Sequence, residues 1–273
     1  MSTPKSVLLH LDATARSVDR VRVARQLAEA FDAEVSAVYA VPPSLMRYPT
    51  MVEGSAAAVE MIAQIDEENR AAAQARFVAA GAGEPRLSWV EAGSDAFWDF
   101  GRRALYHDLV LLGQHDAADP QAGALGADFL PDLLIETGKP ALVIPRTGAA
   151  APVGGCVLVA WKESREAARA VSAALPWLHR AAEVHLVCYA DPAEPPLRAL
   201  QARLSAHGIT ARAHRGGPDH AGAGEQLLSL AADVGADLLV MGCYGRSRVR
   251  EWALGGATRT ILQSMTLPVL MTH

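Results

Sequence analysis

"ADLLVMGCYGRSRVREWALGGATRT", residues 236–260, decides how this chain is read. Its opening run "LLVMG" (238–242) is continuously apolar rather than alternating, which suits a strand buried on both faces of a parallel sheet. Gly242, Gly245, Gly255 and Gly256 then surround Arg246, Arg248 and Arg250, and a helical pattern starts near Gly256. Glycine lets the backbone turn with positive φ and approach a ligand closely, with its N–H groups pointing inward. A helix beginning there adds unpaired N–H donors and the positive end of its dipole, and arginines add forked donors for phosphate oxygens. The segment therefore reads as a phosphate-cradling loop at the carboxyl end of a strand. The plainer alternative is a tight strand-to-helix connection with exposed arginines.

Working outward, the same pieces occur twice. "HDLVLLGQ" (107–114) answers "ADLLVMGC" (236–243), and "SVLLHLDATARS" (6–17) answers "CVLVAWKESREA" (156–167). "GKPALVIPR" (138–146) answers "TLPVLMTH" (266–273), in the same order. This is the signature of a tandem duplication. It gives a first domain at 1–146, a Gly/Ala/Pro-rich linker at 147–155 and a second domain at 156–273.

The second half predicts strands at 156–161, 183–189, 209–214, 237–242 and 268–272. Helices are predicted between them at 164–180, 195–207, 223–234 and 256–265. Strand alternating with helix through short connections means a doubly wound α/β domain. The first half differs in a long second helix, about 54–82, preceded by "PPSLMRYPTMVEGS" (42–55). This insert, spanning roughly 43–60, is either a lid, a partner-facing surface or an elaboration of the scaffold.

Composition removes other classes. A formal net charge of −5 without any block of like charge argues against general binding to nucleic acid or anionic membranes. No apolar run reaches the roughly 18–20 residues of a membrane helix, and the N-terminus lacks a secretory pattern, so a cytoplasmic protein is expected. Three cysteines without metal-ligand spacing predict neither a disulfide framework nor a structural metal.

The pattern Gly242-x2-Gly245-x9-Gly255, after a strand and before a helix and a proline-led final strand, resembles the ATP-binding signature of the universal stress protein family. Arg246, Ser247, Leu254 and Thr258 are also similar to common choices in that family. The resemblance implies two fused domains, each with a sheet ordered 3-2-1-4-5, whose fifth strands pair as in family dimers. It thus implies an intramolecular pseudo-dimer and is compatible with a further homodimer. It also implies an adenine nucleotide, ATP with or without magnesium, bound in the second domain by Gly242, Gly245, Arg246, Gly255, Gly256 and Thr258.

Two departures qualify that expectation. The family places an aspartate just after the first strand. The first half has it as Asp12, whereas the second has Lys162, whose ammonium only donates. Conversely, the first-half loop keeps Gly113 and Gly126 but has Asp116 for the middle glycine and Ala127 for the final Ser or Thr. Asp116 and Asp119 repel phosphates. The second half has Gly256 where the family has Ser or Thr. One lost hydrogen bond to phosphate is worth about 1.5–3 kcal/mol, roughly ten- to a hundredfold in affinity. The second domain is therefore the nucleotide site expected here, with Asp12, Gly113 and Gly126 forming a weaker one.

No residue set supports catalysis. There is no Walker G-x4-G-K-[ST], no Rossmann G-x-G-x-x-G and no placeable nucleophile, base and acid. Cys243 reads as an incidental thiol, His214 and His220 as solvent-facing, and Trp161 and Trp252 as core, interface or base-stacking residues. Val21, Val23, Leu27 and Ala30 mark the core face of the first helix. The expectation is a stress-response protein acting through nucleotide binding and an unidentified protein partner rather than turnover. The alternatives are a nucleotide-independent scaffold with relic loops, or a slow ATP hydrolase.

Overall fold

The computed structural model describes residues 3–47, 56–93, 96–116, 118–119, 128–149, 152–216, 222–244 and 256–273. The chain divides into two compact units, Pro4–Thr137 and, with the first residues, Gly138–His273.

The first unit runs β1 (Ser6–Leu11), α1 (Ser17–Phe31), β2 (Glu34–Tyr39), α2 (Ser44–Arg47) and α3 (Ala56–Gly81). It continues through β3 (Leu87–Val90), α4 (Ala96–Ala104), β4 (Leu109–Gly113) and α5 (Phe129–Thr137). Its strands lie in the order β3-β2-β1-β4, all parallel, with Leu8 opposite Ser36 and Val110. Strands β1 and β4 are buried almost throughout, as continuous apolar runs require.

Helix α3 buries only Ala73, Phe77 and Gly81 of its 26 residues, so its N-terminal part stands largely in solvent. The described part of the preceding insert, α2, is tied to it. Ser44 donates its backbone N–H and its hydroxyl to Asp66, at 2.8 and 2.6 Å.

The second unit runs β5 (Ala141–Ile144), β6 (Cys156–Trp161), α6 (Arg165–Leu178), β7 (Glu183–Cys188), α7 (Glu194–Ala206) and β8 (Arg212–Arg215). It ends with α8 (Ala223–Asp233), β9 (Leu238–Gly242), α9 (Ala257–Ser264) and β10 (Val269–Thr272). Its strand order is β8-β7-β6-β9-β10, the 3-2-1-4-5 arrangement. Strand β5 pairs antiparallel with β10, Val143 opposite Val269 and Ala141 opposite Met271, which is the fifth-strand pairing that the sequence reading expected.

Most elements fall within one or two residues of their predicted bounds. The exception is β8, predicted from residue 209 and found from Arg212. Residues 207–211 instead finish α7: Gly208 takes φ +74°, the Ile209 N–H reaches the Leu204 carbonyl, and Gln201 donates to Ala211 O.

A matched pair of aspartates, not singled out in the sequence, anchors each unit. Asp108 accepts from the Lys5 and Ser6 amides at 2.8 and 3.0 Å. Asp237 accepts from those of Gly154 and Gly155 at 2.8 and 2.9 Å. Each carboxylate sits just before the fourth strand of its unit and satisfies amides leading into the first, so the two central strands start in register.

Among the described residues no helix is long and apolar enough to cross a membrane.

Candidate functional site

Each sheet reverses its strand order between its first and fourth strands, β1 and β4 or β6 and β9, and ligands of open parallel sheets collect beyond such a point. The two crevices are built from different side chains.

In the first unit Asp12, just past β1, is buried. Its Oδ1 accepts from the Thr14 amide at 2.9 Å and the Thr14 hydroxyl at 2.6 Å, and lies 2.7 Å from Arg20 Nη2. Burial works against its charge, but the Arg20 guanidinium outweighs it, with help from His10 and Thr14. The carboxyl is held well below the usual carboxylate range. The Arg20 guanidinium itself is packed against Gly113 so closely that a Cβ there would overlap its Nη1. Arg16, at the start of α1, reaches Asp116 beyond β4 at 3.2 Å, and Asp116 is buried. On the other face of β1, His10 is buried edge-on to Phe100 and against Phe129, within 3.0 Å of the Ala40 carbonyl. Burial pushes its ring down to about 4.

Of the residues expected to hold a ligand in this unit, Asp12 and Gly113 are brought together, with Arg20 between them. Gly126 lies outside the described residues. Sequence reasoning missed Arg20. The signal was available: Arg20 falls on the stripe Ser17, Ala24, Leu27 that α1 buries, and a cation there demands a counter-charge.

In the second unit the corresponding positions read Lys162, Glu166, Ala170 and Gly245. Lys162 is exposed. Ser164 caps α6, its hydroxyl accepting from the Ala167 amide at 3.2 Å. Glu166 is buried in the first turn. Burial opposes its charge, but hydrogen bonds led by that from Arg165 hold it below its ordinary range.

Gly242 is a close-approach glycine: a Cβ would lie 2.5 Å from the Ala167 nitrogen and 2.7 Å from the Glu166 carbonyl carbon. Tyr244 then takes φ 54°, an uncommon value for a residue with a Cβ, as the glycine-rich stretch begins. At its far end Gly256 is the N-cap of α9 and supplies no side-chain cap, its carbonyl accepting from the Arg259 and Thr260 amides at 3.0 and 3.3 Å. Thr258 is buried. Gly245, Arg246 and Gly255 lie outside the described residues, as does Trp252.

Trp161, at the end of β6, has its Nε1 buried with no hydrogen-bond partner among the described residues. Cys243 is buried beside β10, its amide donating to Thr272 O at 2.9 Å.

His214 is not solvent-facing as the sequence suggested. It is half-buried with its Nε2 2.8 Å from His185 Nδ1, and His185 Nε2 lies 3.3 Å from Glu183. His220 lies outside the described residues. Among the described residues no group of three His, Cys, Asp or Glu side chains is placed to hold a metal ion.

Two units of doubly wound, mostly parallel α/β topology, one with a glycine- and arginine-rich sequence after its fourth strand, define the fold class. Residues 219–273 match the model of the universal stress protein family. A universal stress protein of Methanocaldococcus jannaschii is 32% identical over 47 residues, 17% of this chain and 29% of that protein, so the match spans under a third of the relative's length. The crystal structure of a universal stress protein from Archaeoglobus fulgidus superposes with a TM-score of 0.69 at 15% identity, covering 97% of each chain. A functionally unknown protein from Pseudomonas aeruginosa PAO1 gives 0.57 at 15% identity, covering 98% of this chain and 92% of its own. Residues 219–273 are thus similar to the universal stress protein family, and the fold is shared with a solved universal stress protein.

Proposed function

We propose that this is a stress-response protein that binds an adenine nucleotide, ATP with or without magnesium, at the switch point of its second unit. It acts through binding and a protein partner rather than turnover, in the cytoplasm, as two domains divided at 147–155. The observation that carries this reading is that the family-matched segment, 219–273, encloses the whole stretch from Gly242 to Thr258. The N-terminus of α9, whose cap Gly256 lends no side chain, is where backbone amides would meet phosphate. Trp161 Nε1, without a hydrogen-bond partner among the described residues, is a donor that an incoming acceptor would satisfy. Arg246 and Lys162 would add positive charge. Binding that favours one arrangement of the stretch over another would shift the population of a partner-facing surface.

One observation favours the relic-loop scaffold instead: Gly242 is required by the packing of α6 on β9 whether or not a ligand is present.

Calorimetric titration with ATP, with and without magnesium, after stripping bound nucleotide, separates the two. One saturable equivalent is expected. Gly245→Asp should weaken it by roughly tenfold to a hundredfold, the value of one charge-assisted hydrogen bond. A flat titration of the unaltered chain overturns the nucleotide reading.

A further inference from the structure

The first unit has a crevice in the same place as the second, and its contents are unusual. Arg20 is an arginine on the buried face of a helix, 4% exposed, in a family of positions otherwise filled by Val21, Ala24 and Leu27. A cation removed from water at such a site is tolerated only when a counter-charge is built beside it. Here the buried Arg20 Nε has no hydrogen-bond partner among the described residues, so the ion pair carries the site. Asp12 is that counter-charge, 2.7 Å away and equally buried, held in place by both the amide and the hydroxyl of Thr14. Gly113 is the other half of the fit. The end of β4 lacks a Cβ where the guanidinium lies, and any larger residue would displace it. A second pair, Arg16 to Asp116, spans from the start of α1 to the segment after β4.

We infer that the first unit is closed by its own helix: Arg20 and Arg16 of α1 occupy its switch-point crevice as an ion-paired clamp. Asp12 and Asp116 serve as anchors of that clamp rather than as ligand contacts. The aspartate that a nucleotide site would offer is already engaged, and the space against Gly113 is filled. The Asp116 substitution, which looks in the sequence like damage to a phosphate loop, acquires a positive role as the acceptor for Arg16. Among the described residues the second unit has no equivalent clamp, because the positions of Asp12, Arg16 and Arg20 are occupied there by Lys162, Glu166 and Ala170. The first unit therefore presents a crevice closed by its own side chains. This inference stands on the first unit alone and does not require the second to bind ATP.

Two measurements on the full-length chain test it. The first follows the Asp12 carboxyl by carbon-13 NMR as pH is lowered. In the unaltered chain its titration should lie below the ordinary carboxylate range. In Arg20→Met, which keeps an unbranched chain and removes the cation, the midpoint should move above that range, because burial is then unopposed. An ordinary midpoint in the unaltered chain, or an unmoved one in Arg20→Met, overturns the clamp. If Arg20→Met does not fold, the double variant Arg20→Met with Asp12→Asn should, since it removes both buried charges together; failure of the double variant as well overturns the pairing. The second measurement is photolabelling with 8-azido-ATP followed by peptide mapping. Label confined to residues 138–273 supports both this inference and the nucleotide reading. No label at all supports the clamp and counts against the nucleotide reading. Saturable label within residues 4–137 overturns the clamp.

Discussion

The two switch points of this chain occupy equivalent places and carry opposite charge patterns. Reading the start of α1 against the start of α6, Asp12, Arg16 and Arg20 become Lys162, Glu166 and Ala170. Beyond the fourth strand, Asp116 becomes Gly245. In the first unit each of these charges finds a partner across the crevice, Asp12, Arg20 and Asp116 being buried and Arg16 exposed. In the second, Lys162 is exposed and Glu166 turns to its neighbours Arg165 and Ser164, and the position aligned with Arg20 is Ala170. The difference teaches that duplicated sites need not decay. In the first unit the aspartate after the first strand is engaged in an internal ion pair, which buries two charges.

The largest test of this contrast is a pair of substitutions at one aligned position. Asp12→Ala leaves the Arg20 charge buried without a partner and should destabilise the first unit by about 3–5 kcal/mol. Lys162→Ala, at an exposed side chain, should stay within about 0.5 kcal/mol. Urea unfolding with hydrogen exchange of the β1 and β6 amides reads both; similar losses at the two positions would dissolve the comparison.

The next effect is a pH dependence carried by the first unit. His10 is pushed from an ordinary 6.5 to about 4, so the unfolded chain takes up a proton across that window before the folded one does. The His10 contribution is fully present above 6.5, fades as pH falls towards 4, and amounts to about 3 kcal/mol at 1.36 kcal/mol per unit. Asp12, also depressed, extends the loss to lower pH. Thermal unfolding from pH 7 to 4 should show this slope, and His10→Phe should flatten it above pH 4.

A transplant sharpens the contrast further. Lys162→Asp with Ala170→Arg places the Asp12 and Arg20 pair at the aligned positions of the second unit and should lower its ATP affinity by at least roughly tenfold, about 1.4 kcal/mol. Unchanged calorimetry would mean that the clamp does not compete with a ligand.

The smallest expected effect concerns the helix starts. Ser164→Ala removes the cap of α6 and should cost about 1 kcal/mol in urea unfolding. The corresponding turn of α1 begins at Arg16 with no side-chain cap, so its stability rests on the Asp116 pair instead.

Much of this molecule was legible beforehand. "LLVMG" and "VHLVCY" announce buried parallel strands because a continuous apolar run needs cover on both faces, and the repeat of "HDLVLLGQ" in "ADLLVMGC" doubles the fold. The aspartates that precede those runs were printed twice in the same pair of segments, although only the structure shows Asp108 and Asp237 holding the amides that lead into β1 and β6. Gly242 was read as a ligand-facing glycine, and its packing against α6 was invisible because the neighbour comes from Glu166 and Ala167, far away in sequence. Strand β8 was placed too early because a helix exit through Gly208 leaves no apolar signature.

The sequence by itself determined that this chain is a tandem doubly wound α/β protein with its intact glycine pattern in the second half. Local periodicity and turn residues are properties of neighbouring positions, and they leave few ways to bury such segments. Only the tertiary structure decided what fills each crevice. Whether Arg20 is a surface cation or a buried clamp depends on Asp12 and Gly113 arriving on either side of it, and that meeting is made by packing α1 onto β1 and β4.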